Sequence, residues 1–420
     1  MRKAGHAADD RSDGEPCAQR VQRKTGPRSS VRSCPVPYLS FASNFMWVMI
    51  IGIFGPSLPA MIIDLDISYT RAGLFFTVLS LGSLVGTSLG GYASDYINRK
   101  ILFSSIALML SAGLVFAGLA PTYILIILFI FMLSVAGSPS GIVGQSIMLD
   151  MFPEKRERYL AIQMFFSSLG SFCAPLLVAL NYSSGLSWRW SFFETAGIVI
   201  LLLPFILLAY LPKVRAQKHQ RSKLISILSD RRIQLSALFL FLYMSLDIGF
   251  SYWLAEYFSS ELHASMKISS AGVSIFLLGM MTGRLTTPRL LGAVKPRKIL
   301  LFGLAFALAS LSVFLLARPV PVKVAMVFFY GLGLAPVFPL LMARGTAVFP
   351  DRPGTVSGFL FASVSLGGMV FPLLFGAVAE GIGIRRTYFI VGFIALGLLI
   401  ALNRWTAERP QPSKNIHDTG

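Results

Sequence analysis

Charge is what this chain has least of. Asp, Glu, Lys and Arg together make up 13% of its 420 residues, and only 19 of them are acidic. A soluble domain carries about 25%, so the polar surface that would hold a fold of this length in water is missing. Cysteine is equally scarce. Cys17, Cys34 and Cys173 are too few for a disulfide framework, and with four scattered histidines nothing stands at metal-ligand spacing. No metal and no cofactor is expected. The phosphate-cradling pattern Gly-x-x-x-x-Gly-Lys-Ser/Thr is absent, so ATP is not the expected energy source. No nucleophile–base pair stands at usable spacing, which argues against an enzyme.

What is present is long apolar sequence. Hydrophobic residues make up 55% and the mean hydropathy is +0.69. From Val115 to Ile147 there is no charged side chain, whereas about 20 apolar residues suffice to cross a bilayer. Twelve such segments run at roughly 38–62, 71–93, 100–119, 122–148, 158–181, 190–211, 233–257, 268–288, 297–317, 322–348, 355–379 and 385–404. Residues 1–36 read as a disordered basic tail, 212–232 as a basic linker, and 406–420 as a second tail. No cleaved signal peptide is expected before the first segment. The net charge of +18 does not point to nucleic acid, because the Lys and Arg residues cluster in alternate loops: Arg99/Lys100, Lys155/Arg156/Arg158, the linker, Lys295/Arg297/Lys298 and Arg344/Arg352. That alternation predicts both termini in the cytoplasm of a multi-pass cell-membrane protein.

The sequence also repeats itself. Phe152-Pro153-Glu154-Lys155 returns as Phe349-Pro350-Asp351-Arg352 (349 − 152 = 197), and Arg99-Lys100-Ile101-Leu102 as Arg297-Lys298-Ile299-Leu300 (297 − 99 = 198). Gly82-x-x-x-Gly86 has its counterpart in Gly279-x-x-x-Gly283. Two related halves, 37–211 and 233–405, predict a pair of six-helix bundles around a central site that rocking opens to either side.

The stretch Gly91-Tyr92-Ala93-Ser94-Asp95-Tyr96-Ile97-Asn98-Arg99-Lys100 resembles the loop signature of the major facilitator superfamily. Gly91, Asp95, Arg99 and Lys100 fit it. Tyr96 replaces a basic residue, and Asn98 stands where the family has glycine, an expected left-handed turn. The resemblance implies an all-α membrane protein of twelve transmembrane helices in two pseudo-symmetric bundles, with this loop as a conformational latch. Arg284 reads as a gate partner near the cytoplasmic end of segment 8. Gly279-Met-Met-Thr-Gly283-Arg284, Tyr330-Gly331-Leu-Gly333-Leu-Ala335-Pro336-Val-Phe338-Pro339 and Gly354-Thr-Val-Ser357-Gly358 are similar to the sugar-permease branch that includes the fucose–proton symporters. That branch carries an acid before a helix-1 proline and a glutamate in helix 4; here those places hold Gly55-Pro56 and Gly141.

An acid within a membrane span marks a functional site by default. Asp247 lies about fourteen residues into segment 7, and Tyr243, Asp247 and Ser251 share a face at i, i+4, i+8. Asn44, Gln145 and Gln163 are further candidates, since amides suit hydroxyl-rich solutes, with a helix–helix hydrogen bond as the alternative for each. Trp253 and Tyr252 are expected in the interfacial belt, with stacking on a sugar ring as the alternative. Glu194 and Glu256 are expected to face water, and Pro336, Pro339 and Pro372 to kink their helices. The reading is a monomeric secondary transporter of a small organic solute, with a sugar and coupling protons as candidates. A drug-type proton antiporter, suggested by Gly170-x-x-x-Ala174-Pro175, and a non-transporting membrane receptor stay open.

Overall fold

The computed structural model describes residues 36–96, 98–151, 156–208, 230–349 and 353–407. Among them every regular element is a helix. The helices are α1 (Val36–Gly52), α2 (Phe54–Leu65), α3 (Tyr69–Tyr96), α4 (Arg99–Leu119), α5 (Tyr123–Met151), α6 (Arg156–Ser183), α7 (Trp188–Leu201) and α8 (Leu203–Leu208). The second half holds α9 (Arg231–Ser260), α10 (Met266–Leu291), α11 (Pro296–Leu316), α12 (Val320–Leu334), α13 (Val337–Thr346), α14 (Pro353–Ile382) and α15 (Ile384–Ala407). Joined in pairs where a span is broken, they give 12 stretches long and apolar enough to cross a membrane. The tail 1–35, most of the expected linker, both copies of the Phe-Pro-acid-base loop in whole or in part, and the residues beyond 407 lie outside the described residues.

The spans alternate in direction, and contacts at their ends define two sides. At the side of the termini, Arg297 on α11 donates to the Asn403 side chain on α15 at 3.1 Å. At the far side, Arg189 at the start of α7 pairs with Asp64 at the end of α2 at 2.8 Å and donates to the Gly118 and Ala120 carbonyls at 2.8 Å.

Three spans are broken, each at identifiable chemistry. Pro56 has no N–H and its ring crowds the carbonyl four residues back, so span 1 stops at Gly52 and restarts at Phe54. Span 10 breaks before Pro336 in the same way, and span 6 at Leu202, two residues before Pro204. Pro139, Pro175 and Pro372 sit inside unbroken helices. Pro339 lies in the first turn of α13, where the missing N–H costs nothing.

The repeat extends to single contacts. A Cβ on Gly82 would lie 2.9 Å from the Phe131 carbonyl, and one on Gly279 would meet the Phe328 carbonyl, 197 residues on from both partners (279 − 82 = 197; 328 − 131 = 197). Gly86 meets Val135 and Gly283 meets Leu332 in the same register. Only hydrogen fits there, so spans 2 and 4, and again 8 and 10, approach at backbone distance, the packing that small residues permit in lipid. Pro139 and Pro175 recur as Pro336 and Pro372 at the same offset (336 − 139 = 197; 372 − 175 = 197). The fold is the expected pair of pseudo-symmetric six-helix bundles.

Candidate functional site

Between the bundles lies a cavity of about 170 Å³. Span 1 contributes the residues around its break, Ile51 to Pro56; span 5 gives Ser168 and Ser171; span 7 gives Asp247, Ser251 and Tyr252; span 8 gives Val273 to Arg284 along one face. Glycine lets these walls close up: a Cβ on Gly55 would lie 3.3 Å from Tyr252 Cα, across the bundle boundary.

Asp247 is the acid of this cavity and Arg284 its base. The Tyr243 hydroxyl donates to Asp247 Oδ2 at 3.0 Å. Arg284 Nη1 donates to Ser168 Oγ at 3.3 Å, from the second bundle to the first. The pair share the cavity without a direct ion pair, the described ones being Arg189–Asp64 and Arg232–Asp230. A solute entering between them meets an anion and a cation on separate walls. Arg284 is exposed although it lies within a span, and span 8 continues from it toward the terminus side.

The far side is closed by bonds between bundles. Tyr69, at the start of α3, donates its hydroxyl to Glu256 Oε1 at 3.0 Å. The next residue gives its backbone N–H (3.0 Å) and its hydroxyl to Glu380 Oε2 on α14, a carboxylate seated on a helix N-terminus. Thr77 donates to the Met369 carbonyl at 2.7 Å, and Ser270 to the Pro56 carbonyl at 3.1 Å.

The sequence candidates divide accordingly. Asp247 and Ser251 line the cavity; Tyr243 stands behind, buried, and positions Asp247. Asn44 is turned away into a helix–helix contact, donating to the Ser167 hydroxyl and, at 3.3 Å, to the Gln163 carbonyl. The Gln163 side chain is buried outside the cavity lining. Both amides stand toward the terminus end of spans 1 and 5, one to three turns from the cavity. The side chains of Gln145, Asp95 and Arg99, and the surroundings of Gly91, lie outside what the structure describes.

Arg284 lines the cavity, and span 8 runs on for seven residues past it. Several expectations need correction. Asn98 does not take a left-handed turn: with φ −55° it caps α4, accepting from the Lys100 N–H at 2.9 Å. Glu256 is buried, 6% exposed, under Tyr69. Trp253 is wholly buried, donating to the Pro372 carbonyl at 3.1 Å and stacking on Phe375, so it belongs to no interfacial belt. Tyr252 lies in the cavity wall and stacks on Phe76 of the first bundle with ring centroids 4.1 Å apart. Ser168 and Ser171 were missed. Their signal was the register Ser168, Ser171, Pro175 on one helical face, beside the Gly170-x-x-x-Ala174-Pro175 stretch.

Known proteins share this architecture. The chain is 26% identical over 348 residues to the uncharacterized MFS-type transporter YfkL of Bacillus subtilis (strain 168), covering 80% of this chain and 85% of that one. Its fold is similar to that of the nucleoside transporter NupG, with a TM-score of 0.74 at 17% identity, covering 89% of this chain and 99% of that one. It is similar to the D-xylose-proton symporter as well, with a TM-score of 0.74 at 14% identity over 88% and 96%. Residues 40–361 match the family model described as Major Facilitator Superfamily. The chain therefore belongs to the Major Facilitator Superfamily and is a multi-pass membrane transporter of a small solute.

Proposed function

We propose that this transporter carries a polar solute about the size of one ring, with a sugar as first candidate, bound between Asp247 and Arg284 and coupled to protons through Asp247. The observation that carries the reading is the cavity itself: both bundles line it, and an acid and a base face it within the spans. Its volume of about 170 Å³ compares with the roughly 150 Å³ that hold a benzene ring in an engineered cavity. Ser168, Ser171, Ser251 and Tyr252 supply hydroxyls that both donate and accept.

The cycle follows from the charges. Asp247, ionised, is attracted to Arg284 and receives the Tyr243 hydrogen bond. A proton on Asp247 removes that attraction and leaves the guanidinium to the solute and Ser168. Rocking of 37–211 against 233–405 then breaks the Tyr69–Glu256 seam. The loop of Gly91, Asp95, Arg99 and Lys100 would latch the terminus side while the far side is open. The Lys/Arg alternation supports a cytoplasmic terminus side in the cell membrane, and the protein would act as a monomer.

A second reading has one observation in its favour. Val48, Ile51, Val273, Leu277, Met280 and Met281 make much of the wall apolar, which suits export of amphiphilic cations against protons. Flux into liposomes distinguishes the two. The panel is a labelled pentose, a hexose, a nucleoside and a lipophilic cation, with and without a pH gradient, beside Asp247→Asn. Gradient-driven sugar accumulation that the variant abolishes is expected. Gradient-driven movement of the cation alone would transfer the assignment to the second reading, and binding without any flux would make the protein a receptor.

A further inference from the structure

A second and larger hollow, about 520 Å³, lies away from the solute path, where spans 8, 9 and 10 meet near the terminus side. Leu290, Phe302 and Phe306 form its walls, Pro336 its floor, and Lys298 its end. It faces outward: Phe302 is 74% and Leu290 47% exposed. In a protein that spans a membrane such a surface meets lipid. Beneath it spans 9 and 10 touch at backbone distance, for a Cβ on Gly303 would lie 2.7 Å from the Gly333 carbonyl.

Among the described residues near its mouth the charge is of one sign. Arg289, Lys295, Arg297 and Lys298 surround the turn between spans 8 and 9, and the sequence has no Asp or Glu between Glu261 and Asp351. The first turn of α11 holds no acid, although a helix N-terminus favours anions and is destabilised by cations. Of these four side chains, Arg297 makes a polar contact with another described residue, Asn403. An anion at this mouth would relieve both the cation crowding and the helix end.

We infer that the hollow binds an anionic phospholipid, its phosphate at Lys298 and Lys295 and an acyl chain lying along Phe302 and Phe306 against Pro336. Basic pockets between spans recognise anionic headgroups in this way, each basic side chain adding a several-fold preference. The bound chain would touch the Ala335–Pro336 break of span 10, and Gly283, next to Arg284, also lines the hollow. Lipid composition therefore reaches the broken span that flanks the solute cavity.

The test reads binding and not transport, so it stands or falls apart from the solute assignment. Phe302→Trp places a reporter in the hollow at a lipid-exposed position. The variant is reconstituted in phosphatidylcholine vesicles holding a minority of brominated phosphatidylglycerol or brominated phosphatidylcholine. The expected result, read as the difference from the parent protein with its five native tryptophans, is quenching of the introduced tryptophan at about a fivefold lower fraction of the anionic lipid, with the preference abolished when Lys295→Gln and Lys298→Gln are added. Equal quenching by both lipids would make the hollow a plain acyl groove. A preference surviving the lysine substitutions would place the headgroup elsewhere, and absence of quenching by either lipid would mean that protein covers it. Each of these three results overturns the inference.

Discussion

The two bundles pack their own spans alike and differ in where they carry charge. Gly82 and Gly86 press spans 2 and 4 together as Gly279 and Gly283 press spans 8 and 10. Gly170 meets the Phe45 carbonyl as Gly367 meets that of Phe241, at 2.8 Å. Yet Asp247, Glu256, Arg284 and Lys323 all belong to the second bundle. One repeat earlier, their places hold Ile51 and Ala60 (offset 241 − 45 = 196 for spans 1 and 7) and Thr87 and Ile126 (offset 197 for the others). Lys323 is 4% exposed, its ammonium donating to the Phe314 carbonyl at 2.6 Å and the Tyr257 hydroxyl at 3.1 Å. The lesson is a division of labour. Backbone contacts at glycine are kept in both copies because the fold needs them; ionisable groups inside the membrane are costly, and those that line the cavity come from the second copy, while the first keeps the half-buried Glu194, which accepts from Asn181 at 2.7 Å.

The comparison is broken most severely at the glycines. Gly82→Leu and Gly279→Leu each drive a side chain into a facing carbonyl, overpacking that costs about 3 kcal/mol or more. Both variants are expected to lose monodisperse folded protein, as judged by size-exclusion profile and thermal melting in detergent. Collapse of one alone would show that the copies are not mechanically equivalent. Next in size is the charge asymmetry. Arg284→Met is expected to cut solute uptake about 100-fold, equivalent to roughly 3 kcal/mol of binding, while Thr87→Met stays within about twofold. Comparable losses at both positions would mean that the first bundle recognises the solute too.

How much of this was legible beforehand follows from what each level depends on. The fold was legible because hydropathy and loop charge are local, and the offset of 197 needs no contact to be seen. Asp247 was legible because a lone acid in an apolar run is conspicuous. Asn44 stayed open because an amide facing Ser167 and one facing solute have the same sequence signature; which of them it is depends on how span 1 rotates against span 5. Glu256 was misplaced for a related reason. Depth was counted from the segment end, but α3 covers Glu256. A tertiary neighbour, which no single-segment pattern holds, decided it.

The far-side seam sharpens the contrast further, since its carboxylates come from the second bundle and its donors from the first. Tyr69→Phe removes the hydroxyl that Glu256 accepts from, and a buried group left unsatisfied costs about 1–3 kcal/mol. The closed far side is expected to lose about tenfold in population. An impermeant maleimide added from the far side would then label Ile51→Cys faster in the Tyr69→Phe background. Unchanged labelling would leave the seam as packing without influence on the gate.

The smallest effect lies at the start of the second bundle. Asp230 caps α9, its carboxylate accepting from the Arg232 N–H at 2.8 Å and from the guanidinium at 2.9 Å, whereas the sequence one repeat earlier has Cys34. Those Arg232 hydrogen bonds hold the Asp230 carboxyl below its ordinary range, overcoming the opposing effect of burial. A carboxyl lowered in the folded state adds stability that is complete above its ordinary value of about 3.9 and fades as pH falls through the lower folded value. Asp230→Ala is therefore expected to cost about 1 kcal/mol at neutral pH. Its melting temperature should approach the parent's only once the pH drops below about 4. A deficit unchanged down to that pH would mean that the cap works through helix geometry alone, and that the carboxylate's charge adds nothing the first bundle lacks.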